Sequence, residues 1–177
     1  LALIYARAAA LLEPRLSDAI LAAAELLEQA GQLQLAAETY RTVTRDDPLF
    51  LAAELGRANA LFDLEREDAA IEVMELLARE FPTSSTVHAS LGDLHRRLEN
   101  WDSAIDAYTQ ALSLVDTDQP RYWFVFYTRG IAYERSDQWD AAEADFRRAL
   151  ELTPDQPQKL NYLGYSLVEK NIKLDEA

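Results

Sequence analysis

Residues 123–156 read WFVFYTRGIAYERSDQWDAAEADFRRALELTPDQ, and this stretch decides the fold. A polar break at Asp137-Gln138 divides it into two segments whose apolar residues recur at i, i+3, i+4 and i+7, the spacing of an amphipathic α-helix. Pro154 follows the second segment, at a point between helices where the missing N–H of proline costs least. The stretch therefore predicts a pair of helices joined by a short turn.

The same pattern recurs along the chain with a constant period, as the prolines show. Pro14, Pro48 and Pro82 are evenly spaced, and the step from Pro120 to Pro154 is the same. The step from Pro82 to Pro120 is four positions longer, which predicts an insertion within 116–119. With this offset a small residue occurs at the same position of every unit. In every unit after the first, a large apolar residue follows that small residue four positions later. The small residues are Ala2, Ala36, Ala70, Ala104 and Ala142, and the large ones are Tyr40, Met74, Tyr108 and Phe146.

Repeated helix pairs predict an all-α fold, an α-solenoid of stacked helix-turn-helix units. A single pair cannot cover its own apolar face, so neighbouring pairs must stack to complete a core. The sequence has no sustained apolar/polar alternation and no Asn-Gly or Asp-Gly pair, so nothing signals a β-hairpin. Between the prolines, each of the two helices is expected to span about 14 residues.

The pattern resembles the tetratricopeptide repeat (TPR) family, whose unit of about 34 residues carries W-x2-L-G-x2-Y, then A-x3-F, A and P. The resemblance covers the whole chain, and the units from Ser17 and Leu51 are looser copies. It implies a right-handed superhelix. The residues that carry it are Leu91-Gly92, His95, Trp101, Ala104, Tyr108, Ala111, Phe126, Gly130, Tyr133, Trp139, Ala142, Phe146, Ala149, Pro154 and Leu163-Gly164.

The repeat register predicts one solenoid over 1–177. Its parts are the second helix of a preceding repeat at 1–14, repeats at 17–50, 51–84, 85–122 (with the insertion) and 123–156, and a truncated repeat at 157–177. A solenoid normally closes with a polar capping helix, and neither end of this sequence has one. We therefore expect the native protein to continue in both directions.

The composition excludes several classes of function. The chain has no cysteine, which removes disulfide scaffolds, Cys-ligated metals and Cys nucleophiles. Its 17 basic and 31 acidic residues give a net charge of −14, which repels nucleic acid and anionic lipid. No apolar run approaches the roughly 18 to 20 residues that span a bilayer, so direct membrane insertion is not expected.

Candidate catalytic and metal-binding residues are few. His88 and His95 are two turns apart on one helix at packing positions of the repeat, and no third residue has the spacing of a zinc ligand. Residues 116–119 carry oxygens at alternate positions but lack the Gly and the distal Glu of a calcium loop, so an extended turn is favoured. No phosphate-binding, serine-hydrolase or metalloprotease motif occurs. The sequence predicts a non-enzymatic protein with no catalytic residue, metal or cofactor.

The segment 122–127, YWFVFY, holds five of the 17 aromatic residues of the chain. By register Val125, Phe126 and Tyr133 face the repeat core, whereas Phe124, Tyr127 and Ile131 form an i, i+3, i+7 stripe. The TPR family turns that face toward its concave groove, where exposed aromatic residues could anchor a peptide or helix. The alternative is that these side chains only fill space around the longer repeat, with Tyr122 and Trp123 covering the insertion.

The resemblance supplies the remaining candidate groove residues. Family members that grip a C-terminal carboxylate use Lys, Asn and Arg, whereas those positions here hold other residues, namely Leu21, Glu25, Gly56, Thr86 and Ser90. A carboxylate clamp is therefore not expected. The groove positions also include Leu21, Glu25, Leu55 and Ala89. The candidate partner-binding residues are Phe124, Tyr127, Ile131, Asn161, Tyr162, Tyr165, Asp93, Arg96, Asn59 and Phe62.

The sequence thus predicts a scaffold that binds a peptide or helix of another protein in its concave groove. Acidic groove residues such as Glu25, Asp93 and Glu134 favour a partner with apolar anchors and some Lys or Arg. Two alternatives stay open: self-assembly through the repeat ends or the aromatic cluster, and the non-catalytic arm of a larger enzyme. The Ala-rich style resembles bacterial repeat proteins, some of which are exported to the cell envelope. The absence of cysteine fits cytoplasm and periplasm equally.

Overall fold

The computed structural model describes residues 17–153, and every regular element in that range is helical. The chain divides into two compact units, Leu1–Pro82 (unit 1) and Thr83–Ala177 (unit 2). Unit 1 contains α1 Ser17–Gln29, α2 Leu33–Tyr40, α3 Phe50–Asp63 and α4 Glu67–Glu80. Unit 2 contains α5 Ser85–Arg97, α6 Trp101–Ser113, a short 3-10 helix Pro120–Tyr122, α7 Trp123–Arg135 and α8 Trp139–Leu152.

Successive helices pack against each other within each unit. In unit 1, α1 packs on α2, α2 on α3 and α3 on α4, and in unit 2, α5 packs on α6, α6 on α7 and α7 on α8. The predicted all-α class and the stacking of helix pairs are therefore confirmed. The repeat boundaries and the single solenoid over 1–177 remain predictions.

The turn inside each helix pair has the same backbone geometry in all four cases. In the third pair, for example, the amide of Asn100 donates to the carbonyl of His95 at 2.9 Å and that of Glu99 to Arg96 at 3.1 Å. This pattern is the Schellman motif, which ends a helix with one residue in the left-handed region. The polar break predicted at Asp137-Gln138 is thus confirmed as a turn between two helices. The left-handed residues are Gly31 (φ 70°), Glu65 (60°), Glu99 (59°) and Asp137 (60°).

A glycine lies opposite an aromatic ring in both helix pairs of unit 2. A Cβ added to Gly92 would come within 2.6 Å of the ring of Tyr108, and one added to Gly130 within 2.6 Å of the ring of Phe146. Tyr108 and Phe146 are 0% and 2% exposed. Because glycine has no side chain, the ring fills the space where the two helices approach most closely. These contacts explain why a glycine occupies the same position of both repeats, at Gly92 and Gly130.

The second helix of the first pair is shorter than predicted. It ends at Tyr40 after 8 residues, well short of the length expected from the sequence. The following Thr42 and Val43 are β-branched, which lowers helix propensity. Their amides donate to the carbonyls of Thr39 and Tyr40, a tighter spacing than that of an α-helix. The predicted helix length is therefore wrong for α2.

The predicted insertion forms part of the connection between α6 and α7, and α8 holds it in place. The Arg148 guanidinium on α8 donates to the carboxylate of Asp118 and, at 3.4 Å, to the carbonyl oxygen of Thr117. Within the loop the amide of Asp118 donates to the Asp116 carboxylate at 3.2 Å. The 3-10 helix that follows contacts both α7 and α8, so the aromatic segment starts from an anchored connection.

Candidate binding surface

Phe124 is the exposed member of the aromatic segment. It is in the first turn of α7 and keeps 39% of its surface exposed, while its neighbours Val125 and Phe126 are buried as predicted. The ring of Trp123 contacts that of Phe124 edge to face, with centroids 6.0 Å apart. Because an exposed aromatic side chain held by a second ring loses little conformational entropy on binding, this position suits a contact with a partner.

Tyr127 and Ile131 continue the stripe along α7, but both are half-buried. The ring of Tyr127 lies 6.1 Å from that of Trp123 and 6.0 Å from that of Phe146 on α8. Ile131 packs on the buried cluster formed by Ala142 and Phe146. The stripe is therefore exposed at Phe124 and becomes part of the packing between α7 and α8 toward Ile131.

Asp93 and Arg96 on α5 meet the hydroxyl of Tyr108 on α6. The Tyr108 hydroxyl donates to Asp93 Oδ1 at 2.7 Å and accepts from Arg96 Nε at 3.3 Å, while Arg96 Nε lies 3.7 Å from Asp93 Oδ1. Burial, followed by the charge of Asp93, raises the pKa of Tyr108, so the hydroxyl stays protonated and can donate. Burial also raises the pKa of Asp93, against the opposing effects of Tyr108 and Arg96. This network fixes the orientation of both candidate residues on α5.

Charged residues on α5 and on α7 act on the hydroxyl of Tyr127. Burial raises its pKa, the carboxylate of Glu134 on α7 raises it further, and the guanidinium of Arg96 on α5 lowers it. Helices α5 and α7 also make direct contacts. The structure therefore brings Asp93, Arg96 and Tyr127 into one neighbourhood within unit 2.

The other candidates lie either in unit 1 or outside the described residues. Asn59 is exposed and Phe62 is half-buried, and both lie on α3 in unit 1. Asn161, Tyr162 and Tyr165 lie outside the described residues. The candidate surface that the structure describes consists of Phe124, Tyr127 and Ile131 on α7 and of Asp93 and Arg96 on α5, and we call it the aromatic surface.

Two side chains at this surface were not among the sequence candidates. Trp123 contacts both Phe124 and Tyr127, and Tyr108 ties Asp93 to Arg96. Trp123 belongs to the aromatic run, which was the signal available in the sequence. Tyr108 occupies a core position of the repeat, and its hydroxyl partner on another helix is visible only in three dimensions.

Within residues 17–153, no cluster of three or more His, Asp or Glu side chains has the geometry to hold a metal ion. In the same range, each helix is too short or too polar to cross a bilayer.

Two family models, both described as tetratricopeptide repeat, match residues 21–85 and 83–155. Among solved structures, MamA is similar with a TM-score of 0.70 and 21% identity over 86% of each chain. TTC0263, a thermophilic TPR protein in Thermus thermophilus, has a TM-score of 0.73 and 21% identity over 94% of this chain and 89% of its own.

The Cut9-Hcn1 structure of the APC/C hetero-tetramer also has a TM-score of 0.73, at 18% identity over 96% of this chain and 33% of that one. No curated protein is a significant match to the sequence.

Proposed function

Because the chain belongs to the tetratricopeptide repeat family, we propose that it is a protein-binding scaffold whose aromatic surface receives a segment of a partner. TPR modules typically bind other proteins and are non-catalytic, and the proposed role is of that kind. The proposal assigns the contact to α5 and α7 of unit 2.

The exposure of Phe124 is the observation that carries the proposal. Large hydrophobic side chains that are exposed within residues 17–153 are Leu35, Leu76 and Phe124, and Phe124 is the aromatic one. Its ring contacts that of Trp123, which in turn contacts that of Tyr127, so an entering side chain would meet a cluster of rings. Clusters of this kind supply most of the binding energy at protein interfaces, where a few aromatic anchors dominate.

The charges at the surface favour a partner segment with an apolar anchor and a basic residue. Arg96 is paired with Asp93, and Glu134 lies near Tyr127 on the same helix. A Lys or Arg of the partner could therefore approach Glu134 while an apolar side chain packs on Phe124 and Tyr127. Acidic residues also outnumber basic ones by 31 to 17 in the whole chain, which favours a basic partner over an acidic one.

Phe124→Ala is expected to weaken partner binding at least about 30-fold, because losing an aromatic anchor costs about 2 kcal/mol or more. Partners captured from the source lysate by wild-type protein would be identified by mass spectrometry, and the dissociation constant of the strongest one measured by calorimetry. Phe124 is exposed, so circular dichroism should show unchanged helicity and a nearly unchanged unfolding midpoint.

The matched control is Leu35→Ala, which removes another exposed apolar side chain from unit 1. It should leave the captured proteins and the affinity unchanged. Retention of every partner by Phe124→Ala would contradict the proposal. Concentration-dependent oligomers of the wild type that dissociate in Phe124→Ala, without any captured partner, would make self-assembly the function of this surface.

A further inference from the structure

The bonds of the Tyr108 hydroxyl leave part of Asp93 and of Arg96 available at the aromatic surface. They use only Oδ1 of Asp93 and Nε of Arg96. Among residues 17–153, Oδ2 of Asp93 has no hydrogen-bond donor and the two Nη groups of Arg96 have no acceptor. The side chains of Asp93 and Arg96 are 31% and 30% exposed. The pair therefore offers a partner one acceptor beside two donors.

Two hydroxyl groups connect this pair with the first turn of α7. The hydroxyl of Thr128, which is 3% exposed, donates to the carbonyl oxygen of Phe124 at 2.9 Å. Burial and the charge of Asp93 raise the pKa of the Tyr108 hydroxyl, and the hydroxyl of Thr128 lowers it, so the two hydroxyls are neighbours. Asp93 and Arg96 are thus held in one network with the residue whose ring is exposed.

The charges of the pair favour a neutral group over an ion. Burial raises the pKa of Asp93, whereas Tyr108, Arg96 and Arg97 lower it, so this carboxylate already has cations nearby. A partner cation would be attracted by Asp93 and repelled by Arg96, and for an anion the signs are reversed. A neutral group that carries an N–H beside a C=O can bond to both side chains without either repulsion.

The main chain of an extended segment provides this combination of donor and acceptor. In a β-strand the N–H and the C=O of one residue point to the same side, where they bond to one neighbour. In an α-helix the same groups point in opposite directions and are bonded within the helix. When an apolar side chain packs on Phe124, the peptide groups beside it lose water and need hydrogen-bond partners. Asp93 and Arg96 can supply them to an extended segment.

The first repeat lacks this combination, although it has the same tyrosine. Glu25 and Glu28 hold the repeat positions of Asp93 and Arg96, and the hydroxyl of Tyr40 donates to Glu28 at 3.1 Å. Both glutamates are acceptors when ionised, so they have no donor for the carbonyl of a partner. The donor beside the acceptor on α5 is therefore not a general consequence of the repeat.

We propose that the aromatic surface binds its partner as an extended segment, in which Asp93 and Arg96 hold the main-chain N–H and C=O of one residue next to the apolar anchor. Oδ2 of Asp93 accepts from the N–H, and the Nη groups of Arg96 donate to the C=O. The inference rests on the proposed function, and it assigns an extended peptide rather than a helix to the same surface.

The test uses acetyl-Lys-Phe-Val-Lys-amide and two analogues in which an ester replaces the amide before or after Phe. The ester keeps the shape of the chain, removes one N–H and weakens the carbonyl as an acceptor. Each peptide is titrated into the full 177-residue protein and followed by amide chemical shifts in NMR. The all-amide peptide is expected to bind saturably, with shifts in α5 and α7. At least one ester should bind at least about fivefold more weakly, because it leaves a charged group of the pair unbonded.

Arg96→Met separates hydrogen bonding from charge, because the two predict opposite results. The peptide carries two positive charges, so removal of a cation should by itself tighten its binding. Loss of the Nη donors is expected instead to weaken binding at least about threefold relative to Arg97→Met. Arg97→Met is the matched control, since it removes the neighbouring exposed arginine of the same helix. The spectra of both variants report whether the fold is retained.

Equal affinities of the three peptides would overturn the inference. So would binding to Arg96→Met that is as tight as binding to Arg97→Met, or no saturable binding of the all-amide peptide. Shifts in α5 and α7 that appear on concentrating the protein without peptide would identify a second copy of the chain as the occupant, which would also overturn it.

Phe124→Ala should weaken all three peptides alike, so it tests the aromatic surface separately. Equal affinities of the three peptides that still depend on Phe124 would contradict the extended segment and leave the proposed function standing. Binding that does not change in Phe124→Ala would contradict the proposed function itself.

Discussion

Phe146→Ala is expected to lower the free energy of unfolding of unit 2 by about 3–5 kcal/mol, as deletions of buried aromatic side chains do. Phe146 is 2% exposed, and its ring lies where a Cβ on Gly130 would already clash. It also contacts Tyr127 and packs with Ala142 and Ile131. Removing the ring leaves a cavity between α7 and α8 that close helix packing cannot fill.

Urea unfolding followed by circular dichroism measures this loss. Phe124→Ala is the matched control, because it makes the same chemical change in the same unit at a side chain that is 39% exposed. The control should lose less than about 1 kcal/mol. A Phe146→Ala variant as stable as the control would show that the Gly130 and Phe146 contact does not hold the helix pair together.

Arg129→Met is expected to destabilise unit 2 by a similar amount, about 3–5 kcal/mol, because it leaves a buried carboxylate without its cation. The side chains of Arg129 and Asp145 are 15% and 8% exposed. Burial alone would lower the pKa of the guanidinium, but the hydrogen bonds and charge of Asp145 raise it. The guanidinium also lies 5.7 and 5.6 Å from the ring centres of Phe126 and Tyr133.

Replacing both partners separates the cost of the unpaired charge from that of lost packing. Arg129→Met/Asp145→Leu should regain most of the stability in the same urea experiment, since no charge is then left buried. Arg147→Met is the control: it removes the partner of Glu143 from a pair whose arginine side chain is 41% exposed, and should cost less than about 1 kcal/mol. Equal losses in Arg129→Met and Arg147→Met would contradict the account.

The repeat pattern predicted the helix pairs because it records contacts that every pair must make. Gly92 and Gly130 recur because the rings of Tyr108 and Phe146 occupy the space beside them. The polar breaks recur because each turn needs one residue in the left-handed region. The length of α2 could not be predicted in the same way, since the β-branched residues after Tyr40 act locally and belong to one unit only.

The candidate site was less predictable, because it depends on which helices bring polar groups together. The sequence singled out Asp93 and Arg96 but not the Tyr108 hydroxyl, which lies 15 positions from Asp93. The sequence likewise places Arg57 and Arg129 at the same position of their repeats. Arg57 nevertheless pairs with Glu54 on its own helix, whereas Arg129 bonds to residues of both α6 and α8. The stripe Phe124, Tyr127 and Ile131 was assigned from register alone, and its gradient from exposed to packed arises from the ring of Phe146.

The central claim is that a partner protein contacts the aromatic surface at Phe124. Its most direct test is photo-crosslinking with p-benzoylphenylalanine placed at position 124 in source cells, with position 35 as the exposed control in unit 1. The account predicts a discrete adduct with another protein from position 124 and none from position 35. Adducts of equal yield from both positions, or no adduct from position 124, would contradict it.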